Sequence, residues 1–173
     1  MAKIDVYTLT VPQVSKALRA LSGFLSKAQA HAETLKVSPD LWLSERLAID
    51  QFPFIKQVQI VTDTAKGMVA RLIGVEAPQY EDTESTLSEL KTRIEKTLAY
   101  VEGVTKEQFD GAEERRVTLP YYPGQFLTGT NYLVEYALPN FYFHLTTTYS
   151  ILRARGVAVG KGDFFGGLTL EDL

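Results

Sequence analysis

Asn140 and His144 stand four residues apart in the segment PNFYFHLTTTYSILRARGVAVGK, residues 139–161. On a helix, side chains at i and i+4 share a face. An amide and an imidazole would therefore point into one space. An imidazole titrates near neutrality, which suits it to general-base chemistry or to hydrogen bonding with a ligand. The chain holds only two histidines, so His144 has a single rival, His31. His31 has Lys27 at i−4 and Leu35 at i+4, neither of which completes a ligand pair, so a surface contact or a contact with a connection is predicted for it. A single histidine on an apolar helix is more often a hydrogen-bonded core residue, and that reading of His144 stands beside the chemical one.

Other residues bear on the same question. Gln57 lies on the inward side of a second apolar helix pattern, one turn after Phe54. Asp63 follows it by six residues and so faces elsewhere, as a solvated or capping carboxylate. Tyr132, Tyr136, Tyr142 and Tyr149 crowd the last helical stretch. Their hydroxyls suit a polar pocket, although packed rings with a wet hydroxyl are the commoner use. Gly156-Val-Ala-Val-Gly160-Lys161 has glycines too closely spaced for a phosphate loop, Gly162 in place of Ser or Thr, and a helix before it rather than a strand. Its glycines are read as a helix C-cap and a turn. No Gly-x-Ser-x-Gly occurs, and nothing supports a Ser-His-Asp arrangement.

Four helices are needed to position these residues. Val14, Leu18, Leu21, Leu25, Ala28, Ala32 and Leu35 form the first apolar stripe, with a start at Thr10–Pro12 and a stop at Ser38–Pro39. Phe54, Val58, Val61, Ala65, Met68 and Leu72 form the second, between Pro53 and Gly74. Thr86-x-x-Glu89 is a capping-box pattern ahead of Leu87, Leu90, Ile94, Leu98 and Val101. On that helix Lys91, Arg93, Glu95 and Lys96 read as a solvated face. Periodicity fails from Val104 to Gly129, where Arg116–Leu119 reads as a short extended piece and Tyr121, Tyr122 and Phe126 are expected to pack the connection onto the bundle. The last stripe, Leu133, Tyr136, Ala137, Phe141, Leu145, Thr148 and Leu152, crosses Pro139. Either the helix starts near Thr130 and kinks at Pro139, the version favoured here, or it starts at Pro139. A Gly-rich tail with Phe164 and Phe165 folds back over one end.

The expected architecture is all-α: a four-helix bundle with a long irregular connection before the last helix, one non-sequential crossing and a Gly-rich C-terminal tail. Residues 1–173 read as one domain, long enough for a real core. Apolar residues make up 45% and charged residues 23%, the balance of a soluble globular protein. The net charge of −3, from 18 basic and 21 acidic residues, argues against nucleic acid as main partner. No cysteine is present, which excludes disulfides, thiolate catalysis and Cys-ligated metals. The N-terminus lacks a signal-peptide core, and no apolar run approaches the ~20 residues of a membrane span. A cytoplasmic protein without a membrane partner is expected.

With these elements in place the chain resembles the DinB/YfiT-like four-helix bundles, and within them a bacterial branch of unknown function. PNFYFHLTTTYSILRARGVAVGK, LSKAQAHAE and FPFIKQVQIVTDTAK carry the resemblance, which spans nearly the whole sequence. Better-known members of that superfamily hold a metal with three histidines, one early in the second helix and two spaced by four on the last. Some activate a low-molecular-weight thiol for transfer, and others are thought to be hydrolases or isomerases. The resemblance places the last-helix pair on Asn140 and His144 and the second-helix ligand near Gln57; an alternative register pairs His144 with Thr148. Only one of three imidazoles is present, a weak set for zinc or nickel.

Three readings follow from this. The first is a small-molecule binder with a degenerate pocket around His144, its ligand-binding candidates being Gln57, Tyr136, Asn140, His144 and Thr148. The second is a metal-assisted transferase or hydrolase, with Gln57, Asn140 and His144 on a divalent zinc or nickel, Asp63 or Glu135 completing the set, and His144 catalytic. The third is a homodimeric interaction module that uses Trp42, Phe52, Tyr121 and Tyr122 as an exposed aromatic patch.

Overall fold

The computed structural model describes residues 4–171. Helix α1, Val6–Leu35, starts at Asp5, whose carboxylate accepts hydrogen bonds from the Thr8 amide at 2.8 Å and the Thr8 hydroxyl at 2.7 Å. Lys106 pairs with the same carboxylate at 2.7 Å. This anchor, together with burial of Val6 and Val11, carries the helix through Pro12, so the start predicted at Thr10–Pro12 is corrected to Val6. The stripe from Val14 to Ala32 is fully buried, but Leu35 is exposed, because Lys36 takes a left-handed conformation (φ 58°) and turns the chain away. A 3-10 turn, Pro39–Ser44, follows. It buries Trp42, whose indole donates to the Ala28 carbonyl at 3.2 Å and stacks on His31. Trp42 is therefore a core residue rather than part of an exposed patch, and His31 makes the predicted contact with a connection.

Helix α2, Phe54–Ile73, begins after Pro53 and ends at Gly74 (φ 78°), and its six-residue stripe is fully buried. Helix α3, Leu87–Glu102, carries the capping box: the Thr86 hydroxyl accepts from the Glu89 amide, and the Glu89 carboxylate accepts from the Thr86 amide. Helix α3 packs against both α1 and α2, so the ring of helices is not sequential.

The connection holds a second 3-10 turn, Lys106–Phe109, and a minimal antiparallel pair, β1 Arg116–Val117 with β2 Leu127–Thr128. Phe109, Ala112, Val117 and Leu119 pack it onto the bundle. Tyr121, Tyr122 and Phe126, expected in that role, are exposed, because the loop between the paired residues projects outward. Gly129 sits so close to the Ala112 carbonyl that a Cβ there would overlap it, which is why the last helix starts on a glycine.

The last helix runs as α4 (Gly129–Asn131), a π-helical segment (Tyr132–Ala137) and α5 (Leu138–Ala154). Pro139 has no N–H for the carbonyl four residues back and its ring crowds that turn. The wider turn absorbs this, with the Leu138 amide donating to the Leu133 carbonyl five residues earlier. The helix starting near Thr130 is thus found, with a π turn as its accommodation of Pro139. Helix α5 packs on α2. Gly156 (φ 85°) then turns the tail back, and α6, Lys161–Phe165, lies on α1 with Phe164 against Phe24 and Tyr149 and Asp163 paired to Lys27 at 2.7 Å. Among the described residues no helix is long and apolar enough to cross a membrane.

One expected surface residue is interior. The Arg93 side chain is only 2% exposed and meets Asp63 at 2.8 Å, Glu84 at 2.9 Å, Asp82 at 3.0 Å and the Thr62 hydroxyl at 2.7 Å. The solvated-face reading of Arg93 is corrected: the segment 75–86 folds over α2 and α3 and brings Asp82 and Glu84 to the guanidinium, while Asp63 of α2 reaches it with a side chain still partly exposed. Burial disfavours the charge of Asp82, yet the hydrogen bond and charge of Lys56 and the charge of Arg93 outweigh it and hold its carboxyl below the ordinary 3.8. A carboxyl depressed in the folded state adds stability above its ordinary value and loses it as pH falls through the folded one. Arg93→Ala leaves these acids without their common partner. It is expected to lower unfolding stability by about 3 kcal/mol in urea titrations and to flatten the loss of stability below pH 3.8. A change below about 1 kcal/mol, the worth of a surface pair, would contradict this account.

Candidate functional site

Three polar residues step by seven along one face of α2: Gln57, Thr64 and Arg71. Each meets a polar residue of the antiparallel last helix. His144 Nδ1 lies 2.7 Å from Gln57 Oε1, Asn140 Nδ2 donates to Thr64 Oγ1 at 2.9 Å, and Arg71 Nη1 donates to the Tyr132 hydroxyl at 3.4 Å. The seam between the two helices is therefore a ladder of polar rungs set among apolar side chains such as Val58, Val61, Phe141 and Leu145.

The first rung fixes the protonation pattern of the imidazole. Gln57 Nε2 donates to the Phe52 carbonyl at 2.9 Å, which sets the orientation of the amide. Its oxygen then faces His144 Nδ1, and an amide oxygen only accepts. The proton of neutral His144 must sit on Nδ1, leaving Nε2 as a lone-pair acceptor. Gln57 is 1% exposed and His144 8%. Nε2 has no hydrogen-bond partner among the described residues, and it is not one of the sealed unpartnered side-chain atoms found there, which are Ser15 Oγ, Gln51 Oε1 and Tyr100 OH. Nε2 therefore keeps contact with solvent. Burial holds the imidazole pKa below the ordinary 6.5.

The predicted residues are thus placed separately. Gln57 and His144 meet directly. Asn140 turns its amide nitrogen to Thr64, and its carbonyl oxygen makes no hydrogen bond among the described residues. Thr148 spends its hydroxyl on the His144 carbonyl at 2.9 Å within its own helix. Tyr136 stacks on Tyr132 and lines a different space, a cavity of about 280 Å³ between the π segment and the 117–127 loop. Asp63 belongs to the Arg93 cluster and Glu135 to the rim of that cavity, so neither joins His144. Thr64 and the Phe52 carbonyl were not singled out from the sequence. Thr64 shares the Gln57 face at a spacing of seven, a signal that points to it; the carbonyl leaves none.

Zinc or nickel requires several imidazole, thiolate or carboxylate donors. Among the described residues no group of three or more His, Cys, Asp or Glu side chains is arranged to hold a metal. The Gln57 oxygen is already used by His144, and Asn140 is turned to α2. The donor set does not fit a tightly held transition metal.

Comparison with known proteins agrees with this fold. Residues 6–165 match a family model described as Domain of unknown function (DUF1993). The crystal structure of a DinB family member protein from Shewanella denitrificans superposes with a TM-score of 0.93 at 47% identity, covering 96% of this chain and 95% of that one. Among curated proteins, none matches this chain.

The buried imidazole also sets a pH dependence. A histidine whose folded pKa is depressed takes up its proton more readily when unfolded, so its contribution to stability is present above 6.5 and is lost as pH falls below that value. Stability is expected to decline on acidification from pH 6.5, and NMR titration of the His144 ring should show a midpoint below 6.5. Gln57→Glu, which places a carboxylate against Nδ1, is expected to raise that midpoint by about one pH unit. A midpoint above 6.5 in the natural chain would refute the assignment.

Proposed function

This chain belongs to the DUF1993 family, a branch of the DinB-like helical bundles, and on that premise we propose that it is a single cytoplasmic bundle domain that binds a small molecule at the degenerate family site around His144. One observation supports the reading. His144 Nε2 and Asn140 Oδ1 are two acceptors without hydrogen-bond partners among the described residues, one helical turn apart on the α5 edge of the seam. Residues spaced by four on a helix have Cβ atoms about 5–6 Å apart. A small neutral molecule with two N–H or O–H donors spans that distance. Gln57 holds the His144 imidazole in the tautomer that leaves Nε2 as an acceptor, and Thr64 holds Asn140 with its oxygen unpaired among the described residues. Phe143, exposed beside His144, supplies an apolar wall for the rest of the ligand.

The metal-assisted transferase or hydrolase reading has weaker support, because its donor set is incomplete. It is testable together with the first reading. Titration with small diols, ureas and primary amides, followed through backbone amide shifts of residues 140–148, is expected to give a saturable response that His144→Phe and Asn140→Leu abolish. Zinc and nickel should bind the natural chain substoichiometrically, and Gln57→His with Asn140→His should gain a stoichiometric site. Absence of any saturable response would leave His144 as a core residue only, while stoichiometric metal in the natural chain would favour the enzyme reading.

A homodimer is the third reading, supported by the exposure of Ile49 (93%) and Phe52 (55%) in the α1–α2 connection. Light scattering across a hundredfold concentration range is expected to show a dimer that Ile49→Lys dissociates, and a strict monomer would remove this reading.

A further inference from the structure

We propose that the cavity between the π segment and the 117–127 loop is a second binding site, selective for small organic cations that carry an apolar or aromatic body. It does not rest on the His144 reading. The cavity of about 280 Å³ is lined by the rings of Tyr122, Phe126 and Tyr136, by Val117 and Leu119, and by Glu135. An apolar cavity of about 150 Å³ accepts one benzene, so this space suits a ring with a short charged arm.

The chemistry of the lining selects the charge. Ring faces carry negative quadrupole density and attract ammonium groups within about 6 Å of the centroid. Glu135 is the only lining residue with a formal charge, and it has no ion-pair or hydrogen-bond partner among the described residues. A carboxylate without a partner beside three rings complements a cation and repels an anion.

One of these rings already meets a cation on the protein itself. The Arg116 guanidinium rests 4.7 Å from the Phe126 ring centroid, and it has no carboxylate partner among the described residues. It occupies one ring as an internal cation and lies outside the cavity lining. Its charge opposes a second cation nearby, so removing it should strengthen binding.

The fold prepares the site from below. Tyr132 is buried, bonded by Arg71 and stacked on Tyr136 at 5.9 Å. The π turn that accommodates Pro139 sets Glu135 and Tyr136 side by side on the cavity wall.

The test is an NMR titration of the full chain with benzyltrimethylammonium, with benzyl alcohol and phenylacetate as neutral and anionic comparators. Saturable shifts are expected at the amides of residues 117–127 and 135–136 with the cation, at least about fivefold weaker binding with benzyl alcohol, and none with phenylacetate. Glu135→Gln should weaken the cation about fivefold and Arg116→Gln should tighten it, two opposite changes at exposed positions that leave helical circular dichroism unchanged. Equal binding of benzyl alcohol, equal binding of phenylacetate, insensitivity to both variants, or no saturable shift in this region would each overturn the proposal.

Discussion

The seam between α2 and the last helix carries a constraint on which the rest of the structure depends: buried polar groups must find partners. An amide or imidazole sealed among Val58, Val61, Phe141 and Leu145 without one would cost on the order of 1–3 kcal/mol. Gln57, placed on the inward face of α2, is satisfied on both ends, by His144 and by the Phe52 carbonyl. Apolar side chains alone would tolerate a slide of one turn along this seam. Three polar rungs at spacings of seven on α2 do not, because a slide would separate all of them together.

The same rungs decide what the site can do. At the seam the Gln57 amide is hydrogen-bonded to His144. The amide consumes the ring nitrogen nearest α2 and fixes the proton there. What remains is Nε2 as a lone-pair acceptor on a largely buried ring, followed one turn earlier by the Asn140 oxygen. An arrangement of acceptors is a poor cage for a transition metal, which needs several strong ligands at once. The seam holds together by hydrogen bonding, in a fold that superposes closely on the Shewanella denitrificans protein.

Much of the bundle was legible because apolar stripes obey local periodicity. The α2 stripe is buried residue for residue, and the Thr86–Glu89 capping box forms as its pattern implies. Features that depend on distant partners were not legible. Arg93 looks like a surface residue until the segment 75–86 delivers Asp82 and Glu84 to it. Pro12 looks like a start signal because the stronger cap, Asp5, is anchored by Lys106 from another part of the chain. At the site, Gln57 and His144 share a buried position that their stripes foretell, but the rotation of Asn140 toward Thr64 follows from the packing of two helices. The cavity at Glu135 and Tyr136 lies between the 117–127 loop and a π turn, a widening that a 3.6-residue period does not contain; Pro139 was the only trace of that turn.

The measurement that tests the central claim most directly is the tautomer of His144, read from long-range nitrogen–proton correlations of the ring above its pKa. The account predicts a protonated, pyrrole-like Nδ1 and an unprotonated, pyridine-like Nε2, with the pattern lost in Gln57→Leu. A proton on Nε2 in the natural chain would contradict it, because the rung from Gln57 would then be absent and the surface acceptor with it.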